Sequence, residues 1–172
     1  MEQGPNIIPL DAVDPALVEA LLDRAFEPER HKRTAYKVRE GTDWLPGLSF
    51  AVLDQDEMLV GTIQCWPVSL TDDQGRAHPM IMVGPVAVLP EQQGAGFGKA
   101  LVTASISALD PRAPLPQVMI GDPDYYGRFW GFTAEPTQGW QLPGPFERHR
   151  LLVRCANPAV LPATGTLGPW RR

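Results

Sequence analysis

The spacing of hydrophobic and polar residues changes along this chain, and the changes predict where helices and strands lie. Apolar residues recur at helical spacing after Asp14-Pro15 and again over residues 98–109. Each set occupies one face of a helix: Leu17, Leu21, Leu22 and Ala25 in the first, and Leu101, Val102, Ile106 and Leu109 in the second. A third, shorter helix is expected after Asp122-Pro123, because aspartate caps free N–H groups and proline has no N–H to leave unpaired.

Between these helices, apolar runs bounded by turn residues predict strands. Three consecutive runs, separated by two polar turns, predict an antiparallel meander: residues 48–53, 58–68 and 77–88. Shorter strands are expected at three other places: residues 6–10, 117–120 and 148–154. This order of elements predicts an α/β (α+β) domain over residues 1–155. Residues 156–172 are rich in Pro and Gly and are expected to form an extended tail.

The composition restricts the class of protein and its partners. The chain has 172 residues, of which 44% are hydrophobic and 20% charged, and this is typical of a globular domain. The formal net charge of −5 argues against nucleic acid as a partner, since phosphate contacts need a basic face. Cys65 and Cys155 lack the spacing of metal ligands, so no metal is expected.

The sequence also bears on localisation. The first ten residues lack the basic and apolar regions of a signal peptide. The longest apolar run, residues 80–90, is too short for a membrane helix and contains Gly84 and Pro85. A cytoplasmic protein without a membrane partner is therefore expected, and monomer and homodimer both fit.

The clearest functional signal lies between Val86 and Lys99. A predicted buried strand, Val86-Ala87-Val88, leads to the segment Gln93-Gly94-Ala95-Gly96-Phe97-Gly98-Lys99 at the start of a helix. Glycines allow backbone N–H groups to converge, and N–H groups at a helix start favour a bound phosphate. Two familiar phosphate loops fit poorly: Lys99 replaces a glycine of the dinucleotide fingerprint, and Gln93 and Ala100 break the nucleoside-triphosphate pattern.

The segment resembles the acetyl-coenzyme A loop of the GNAT superfamily of N-acetyltransferases, whose pattern is Gln or Arg, two residues, Gly, one residue, then Gly or Ala. Gln93, Gly96 and Gly98 match this pattern. Residues 121–132, Gly-Asp-Pro-Asp-Tyr-Tyr-Gly-Arg-Phe-Trp-Gly-Phe, are similar to a motif of small predicted bacterial acetyltransferases. The resemblance covers roughly residues 5–155. It implies the GNAT fold, a mixed and mostly antiparallel sheet with splayed central strands, flanked by helices.

This resemblance also implies a reaction and its residues. The enzyme would transfer an acetyl group from acetyl-CoA to a primary amine of a small molecule or peptide, by direct attack in a ternary complex. Backbone groups of Val86, Ala87 and Val88 would face the pantetheine arm. The amides of residues 93–98 would hold the pyrophosphate, and Lys99 would add positive charge. A strand N–H would stabilise the oxyanion.

In this family a tyrosine of the late helix protonates the leaving thiolate. Tyr126 is the first candidate for this acid and Tyr125 the second. Trp130 adds one residue to the usual spacing between the tyrosine and Gly131-Phe132. No general base is evident, and a non-catalytic acyl-CoA binding or sensing domain of the same fold stays as the alternative.

Two further features leave alternatives open. The polar and basic residues 29–40 fit either a solvated helix or loop, or a flap over an anionic or polar ligand. Three tryptophans could line an acceptor pocket, although core packing is the default for isolated tryptophans: Trp44, Trp66 and Trp140.

Overall fold

The structure, a computed structural model, describes residues 5–26, 28–112 and 114–170. Its α-helices in this part of the chain are α1 Pro15–Ala25, α2 Thr34–Val38, α3 Phe97–Ser107 and α4 Pro123–Trp130. Its strands are β1 Asn6–Pro9, β2 Phe50–Leu53, β3 Leu59–Thr71, β4 Ala77–Val88, β5 Gln117–Ile120, β6 Gly139–Gln141, β7 Leu151–Arg154 and β8 Thr164–Pro169. None of the helices so described is long and apolar enough to cross a membrane.

The strands form one mixed sheet in the order β1-β2-β3-β4-β5-β7, and β8 pairs with both β3 and β6. Four pairings are antiparallel: β1 with β2, β2 with β3, β3 with β8, and β5 with β7. The turn between β3 and β4 is too short for a parallel crossover, so these neighbours are antiparallel as well. The pairs β4–β5 and β6–β8 are parallel. The predicted mixed, mostly antiparallel sheet is confirmed.

The described residues divide into two compact units. Among the described residues, those in the ranges 5–31, 44–65 and 84–110 belong to unit 1, and the other described residues belong to unit 2. Strands β3 and β4 contribute residues to both units.

In unit 1, helices cover both faces of the strands. Asp14 caps α1 by accepting a hydrogen bond from the Ala16 N–H at 3.0 Å, as the Asp-Pro signal predicts. Buried residues of α1 pack with Ala51 and Ala87. The neighbouring residue Val52 faces the other way, toward Gly61 and Leu101 of α3, because successive strand residues point to opposite faces.

Unit 2 has its own core, centred on Trp140, which is fully buried. The Trp140 indole N–H donates to the Pro162 carbonyl at 2.8 Å, so burial leaves no polar group unpaired there. Val118 of β5 and Leu151 of β7 pack in the same cluster. The core-packing interpretation is confirmed for this tryptophan.

The last strand lies beyond residue 155, where the sequence predicts the end of the domain. In β8, Leu167 is buried in the core of unit 2, and Val68 of β3 pairs with Pro169. β6 is also absent from the predicted elements. Gly and Pro are depleted in strands, so the composition of these segments favours loops, and their pairing partners are distant in the sequence.

The polar segment 29–40 contains two buried arginines. Arg30 is 3% exposed in unit 1 and forms ion pairs with Glu19 and Asp23 of α1 at 2.5 and 3.1 Å. Arg39 is 5% exposed in unit 2, with its guanidinium carbon 4.0 Å from the ring centre of Tyr36 and 4.1 Å from that of Trp66. A fully solvated segment is therefore wrong for these two side chains.

Candidate functional site

The predicted phosphate cradle lies in unit 1, between β4 and α3. Gly94 and Gly96 have φ angles of +91° and +85°, in the left-handed region that strains other residues. A Cβ atom at either position would meet no atom within 4 Å. Glycine is thus required here by the backbone conformation, and the space around the loop is open.

The start of α3 has N–H groups that the helix itself does not satisfy. Gly96 is the N-cap and has no side chain that could accept a hydrogen bond. The Ala100 N–H donates to the Gly96 carbonyl at 3.1 Å, and the N–H groups of the preceding turn have no acceptor within the helix. An anion at this position would accept from those groups and be stabilised by the helix dipole.

Gly98 differs from the other two glycines of the cradle. It lies inside α3, and a Cβ there would sit 3.7 Å from Val88 Cγ2 and 3.9 Å from Val86 Cγ1, which are ordinary contacts. Neither the backbone conformation nor the packing of the chain therefore requires glycine at position 98.

The backbone of β4 changes its direction of hydrogen bonding along the strand. The Ile81 N–H donates toward β5, to Pro116, whereas the Leu89 N–H donates to Val60 of β3. In a regular strand, N–H groups of residues an even number apart point to the same side, so the alternation is interrupted between them. Gly84, with φ of +124°, and Pro85 lie in this interval.

As a result, alternate backbone N–H groups in the last part of β4 point away from β3. The N–H groups of Val86 and Val88 alternate with that of Leu89 and point away from β3. The ladder between β4 and β5 has two pairs, Ile81 with Gln117 and Met82 with Val118, although both strands are fully described. The side chain of Ala87 is buried in the core of unit 1. The N–H groups of Val86 and Val88 are therefore oriented toward the side of β4 that does not pair with β3.

Two contacts hold the entry to the cradle. The Gln93 amide donates to the Val88 carbonyl at 3.4 Å, while Arg24 of α1 forms an ion pair with Glu91 at 2.7 Å. The Glu91 backbone N–H and the Arg24 guanidinium lower the pKa of the Glu91 carboxyl, so it stays charged. Lys99 is exposed in the first turn of α3.

The predicted tyrosines lie on α4 in unit 2. Asp122 caps this helix by accepting from the Asp124 N–H at 2.9 Å. The additional residue, Trp130, is the last helical residue, and Gly131 ends the helix with φ of +79°. The helix therefore accommodates the longer spacing before its left-handed glycine. Tyr125 is 37% exposed, whereas Tyr126 is partly buried.

The Tyr126 ring has close neighbours. A Cβ at Gly121 would lie 2.7 Å from its Cε2 atom, and the ring centres of Trp130 and Phe132 lie 5.7 and 6.4 Å away. Burial is the main cause that raises the pKa of Tyr126, and Arg150 acts in the opposite direction. The phenol is therefore protonated at neutral pH and able to donate a proton.

Two residues near Tyr126 have a role that local sequence does not indicate. Gly121 belongs to the motif at residues 121–132. The need for a glycine there arises from the close approach of the Tyr126 ring, which depends on the fold. Arg150 acts on Tyr126 from another part of the chain and has no local signal. Predicted residues 86–99 thus come together in unit 1, and the two tyrosines lie in unit 2.

Two other side chains that could take part in catalysis, those of His78 and Cys65, have surroundings that indicate structural roles. His78, near the start of β4, bonds at 2.9 Å to Asp72 of the turn between β3 and β4. Cys65 is a free, buried thiol, and burial raises its pKa to about 12, which makes it a poor nucleophile. Within residues 5–26, 28–112 and 114–170, no cluster of three His, Cys, Asp or Glu side chains could hold a metal ion.

Comparisons with known proteins agree on one family. The model of the acetyltransferase (GNAT) domain matches residues 7–133. The Escherichia coli GNAT family N-acetyltransferase YhbS, solved in complex with CoA, is 26% identical, with a TM-score of 0.72 over 99% of this chain and 93% of that chain. A search among curated proteins found no significant match.

A second solved structure is similar over most of its length. A Brucella melitensis GNAT family acetyltransferase, solved in complex with acetyl-CoA, is 23% identical, with a TM-score of 0.63 over 97% of this chain and 96% of that chain. The order of the elements, the sheet and the loop before α3 fit the same fold. The chain belongs to the GNAT acetyltransferase domain family.

Proposed function

We propose that this protein binds acetyl-CoA and transfers its acetyl group to a primary amine of a small molecule or peptide. The observation that carries the proposal is the cradle before α3, where two left-handed glycines open a helix whose first N–H groups lack acceptors within the helix. The family supports acetyl transfer, and the similar E. coli protein was solved with CoA.

In the proposed binding mode, the backbone of this chain recognises most of the coenzyme. The amides of residues 93–98 hold the pyrophosphate, and Lys99 adds a positive charge near it. The N–H groups of Val86 and Val88 point away from β3 and pair with the pantetheine arm, with Ala87 between them. Such contacts use few side chains, which fits the exposure of the loop.

The proposed chemistry is a direct transfer. The amine nitrogen attacks the thioester carbonyl, a C–N bond forms, and the C–S bond breaks as the tetrahedral intermediate collapses. A β4 N–H stabilises the oxyanion, and holding both substrates together supplies much of the acceleration. Tyr126 protonates the departing CoA thiolate and regains a proton from the attacking amine through solvent. The products are the N-acetylated amine and free CoA thiol.

The test has two steps. CoA at 100 times its Kd should stabilise the folded protein by about 2.7 kcal/mol, seen as a rise in Tm. Release of free thiol from acetyl-CoA is then measured against a panel of small amines and peptides. Thiol release with at least one amine, together with the acetylated product by mass spectrometry, supports the proposal.

The same assays separate the alternative. Stabilisation by CoA without amine-dependent thiol release would favour a non-catalytic acyl-CoA binding or sensing domain. Absence of stabilisation by CoA would contradict both functions.

A further inference from the structure

Gly121 connects β5 to α4, and the reason for a glycine at this position is space. Its φ angle lies outside the left-handed region. A Cβ atom, however, would lie 2.7 Å from Cε2 and 2.9 Å from Cδ2 of Tyr126, closer than real Cβ contacts. The Gly121 N–H donates to the carbonyl of Arg150, the residue before β7, at 2.9 Å, and this bond fixes the Gly121 backbone at the start of β7. The Tyr126 ring therefore packs directly on an anchored peptide.

The other neighbours of the ring are aromatic. Ring centres lie 5.0 Å away for Tyr125, 5.7 Å for Trp130 and 6.4 Å for Phe132. Phe132 is buried, and Trp130 is followed by the left-handed Gly131 that ends α4. A displacement of the Tyr126 ring would thus disturb neighbours that the helix end holds in place.

We propose that Gly121 is a positioning residue for Tyr126, because the missing side chain at position 121 sets where the phenol hydroxyl lies. This inference rests on the proposed function, in which Tyr126 protonates the CoA thiolate. A displacement of about 1 Å at a reacting group can lower the rate about 100-fold. A methyl group at position 121 pushes on the ring edge and displaces the hydroxyl without changing its chemistry.

The first experiment is a double-mutant cycle on turnover. Gly121→Ala is expected to lower kcat about 10- to 100-fold while the Tm rise caused by CoA stays the same. In the Tyr126→Phe background, Gly121→Ala should cause no further loss, because the misplaced hydroxyl is already absent. Gly168→Ala in β8 is the matched control, since a Cβ there would meet no atom within 4 Å.

The outcomes separate this inference from the function on which it depends. If Tyr126→Phe loses activity but Gly121→Ala keeps full turnover, the positioning role is overturned and the acid role stands. An equal loss from Gly121→Ala in both backgrounds would also overturn it, as a general structural effect. Full activity of Tyr126→Phe would overturn both roles, and absence of any amine-dependent thiol release would overturn the proposed function first.

A second cycle measures the contact without any activity. Gly121→Ala should lower the urea midpoint of the native sequence. In the Tyr126→Ala background the ring is gone, so the same substitution should have little effect on the midpoint. A similar loss in both backgrounds would show that Gly121 is needed for another reason, and would overturn the inference even if the single variant folds poorly.

Discussion

The cradle in unit 1 and the tyrosine in unit 2 represent opposite ways of building a functional group into a fold. The cradle consists of backbone amides, and its residues from Gln93 to Gly96 are exposed. Tyr126 is a single side chain, partly buried among aromatic rings. Gly96 is required by its φ of +85°, although a Cβ atom there would have open space around it. Gly121, in contrast, is required because the Tyr126 ring leaves no room for a Cβ atom.

This difference explains how each region responds to substitution. A backbone cradle depends on torsion angles, so most side-chain changes leave its donors in place and a glycine replacement distorts them. A packed side chain depends on its neighbours, so changes at Gly121, Trp130 or Phe132 act on Tyr126 through their contacts with its ring. Changes in the first region should affect coenzyme affinity, and changes in the second should affect turnover.

The largest expected effect is that of Tyr126→Phe. Removing the hydroxyl should lower kcat about 100-fold or more, because general acid catalysis typically contributes that much. The KM for acetyl-CoA and the Tm rise caused by CoA should change little, since the ring and its packing remain. Steady-state kinetics of thiol release with the best amine of the panel, together with thermal shift, measure both quantities.

Tyr125→Phe provides the matched control. Its ring centre is 5.0 Å from that of Tyr126, but the side chain is more exposed. A smaller loss of kcat is expected for this variant. If Tyr125→Phe has the greater loss of kcat, Tyr125 is the acid and Tyr126 is not.

A smaller effect, in the opposite parameter, is expected for Gly96→Ala. A left-handed conformation costs a residue with a side chain roughly 1–2 kcal/mol. That energy corresponds to a loss of about 5- to 30-fold in affinity, so the KM for acetyl-CoA should rise while kcat at saturation stays near the native value. Initial rates over a range of acetyl-CoA concentrations measure the two parameters separately.

Gly98→Ala tests the same region without strain. Its Cβ would have ordinary contacts with Val86 and Val88, and it lies within the helix. Its effect on the KM for acetyl-CoA should therefore be smaller than that of Gly96→Ala. An equal rise in the KM for acetyl-CoA in the two variants would mean that open space at the loop is more important for coenzyme binding than the backbone torsion angles.

The same contrast explains how much could be predicted from the sequence. The starts of α1 and α4 were predictable because Asp14 and Asp122 cap within their own turns. The turn before α3 was predictable because its torsion angles are local and glycines mark them. Both are features of a few consecutive residues.

Features that depend on distant partners were not predictable. The sequence of residues 29–40 fits either a solvated segment or a flap over a ligand. In the fold, Glu19 and Asp23 pair with Arg30, and Tyr36 and Trp66 stack on Arg39. β8 was missed because its pairing to β3 compensates for a composition that favours loops. The orientation of Tyr126 needed the end of α4 and the backbone of Gly121, which lie together only in the fold.

The smallest expected effect concerns a turn in which an aspartate side chain accepts hydrogen bonds from two backbone N–H groups. One such turn lies in each unit. Asp54 accepts from the N–H groups of Asp56 and Met58 at 2.8 and 3.0 Å. Asp72 accepts from those of Gln74 and Arg76, both at 2.9 Å, and also bonds to the His78 ring. The His78 bond and then the Arg76 N–H lower the pKa of Asp72 from 3.8 to about 2.

Because the folded pKa of Asp72 is lowered, its charge stabilises the fold above the unfolded pKa near 4, and this contribution is lost as the pH falls toward 2. Asp72→Asn should remove that part of the pH dependence, whereas its asparagine oxygen still accepts the turn N–H bonds. Urea midpoints at pH 5, 4, 3 and 2.5 measure the difference between native protein and variant, which should shrink as the pH falls. Asp54→Asn is the control without the histidine bond and should show a smaller change over this range. An equal change for both variants would assign the pH dependence of the urea midpoint to the N–H groups of the turn. The His78 bond would then have no effect of its own on this pH dependence.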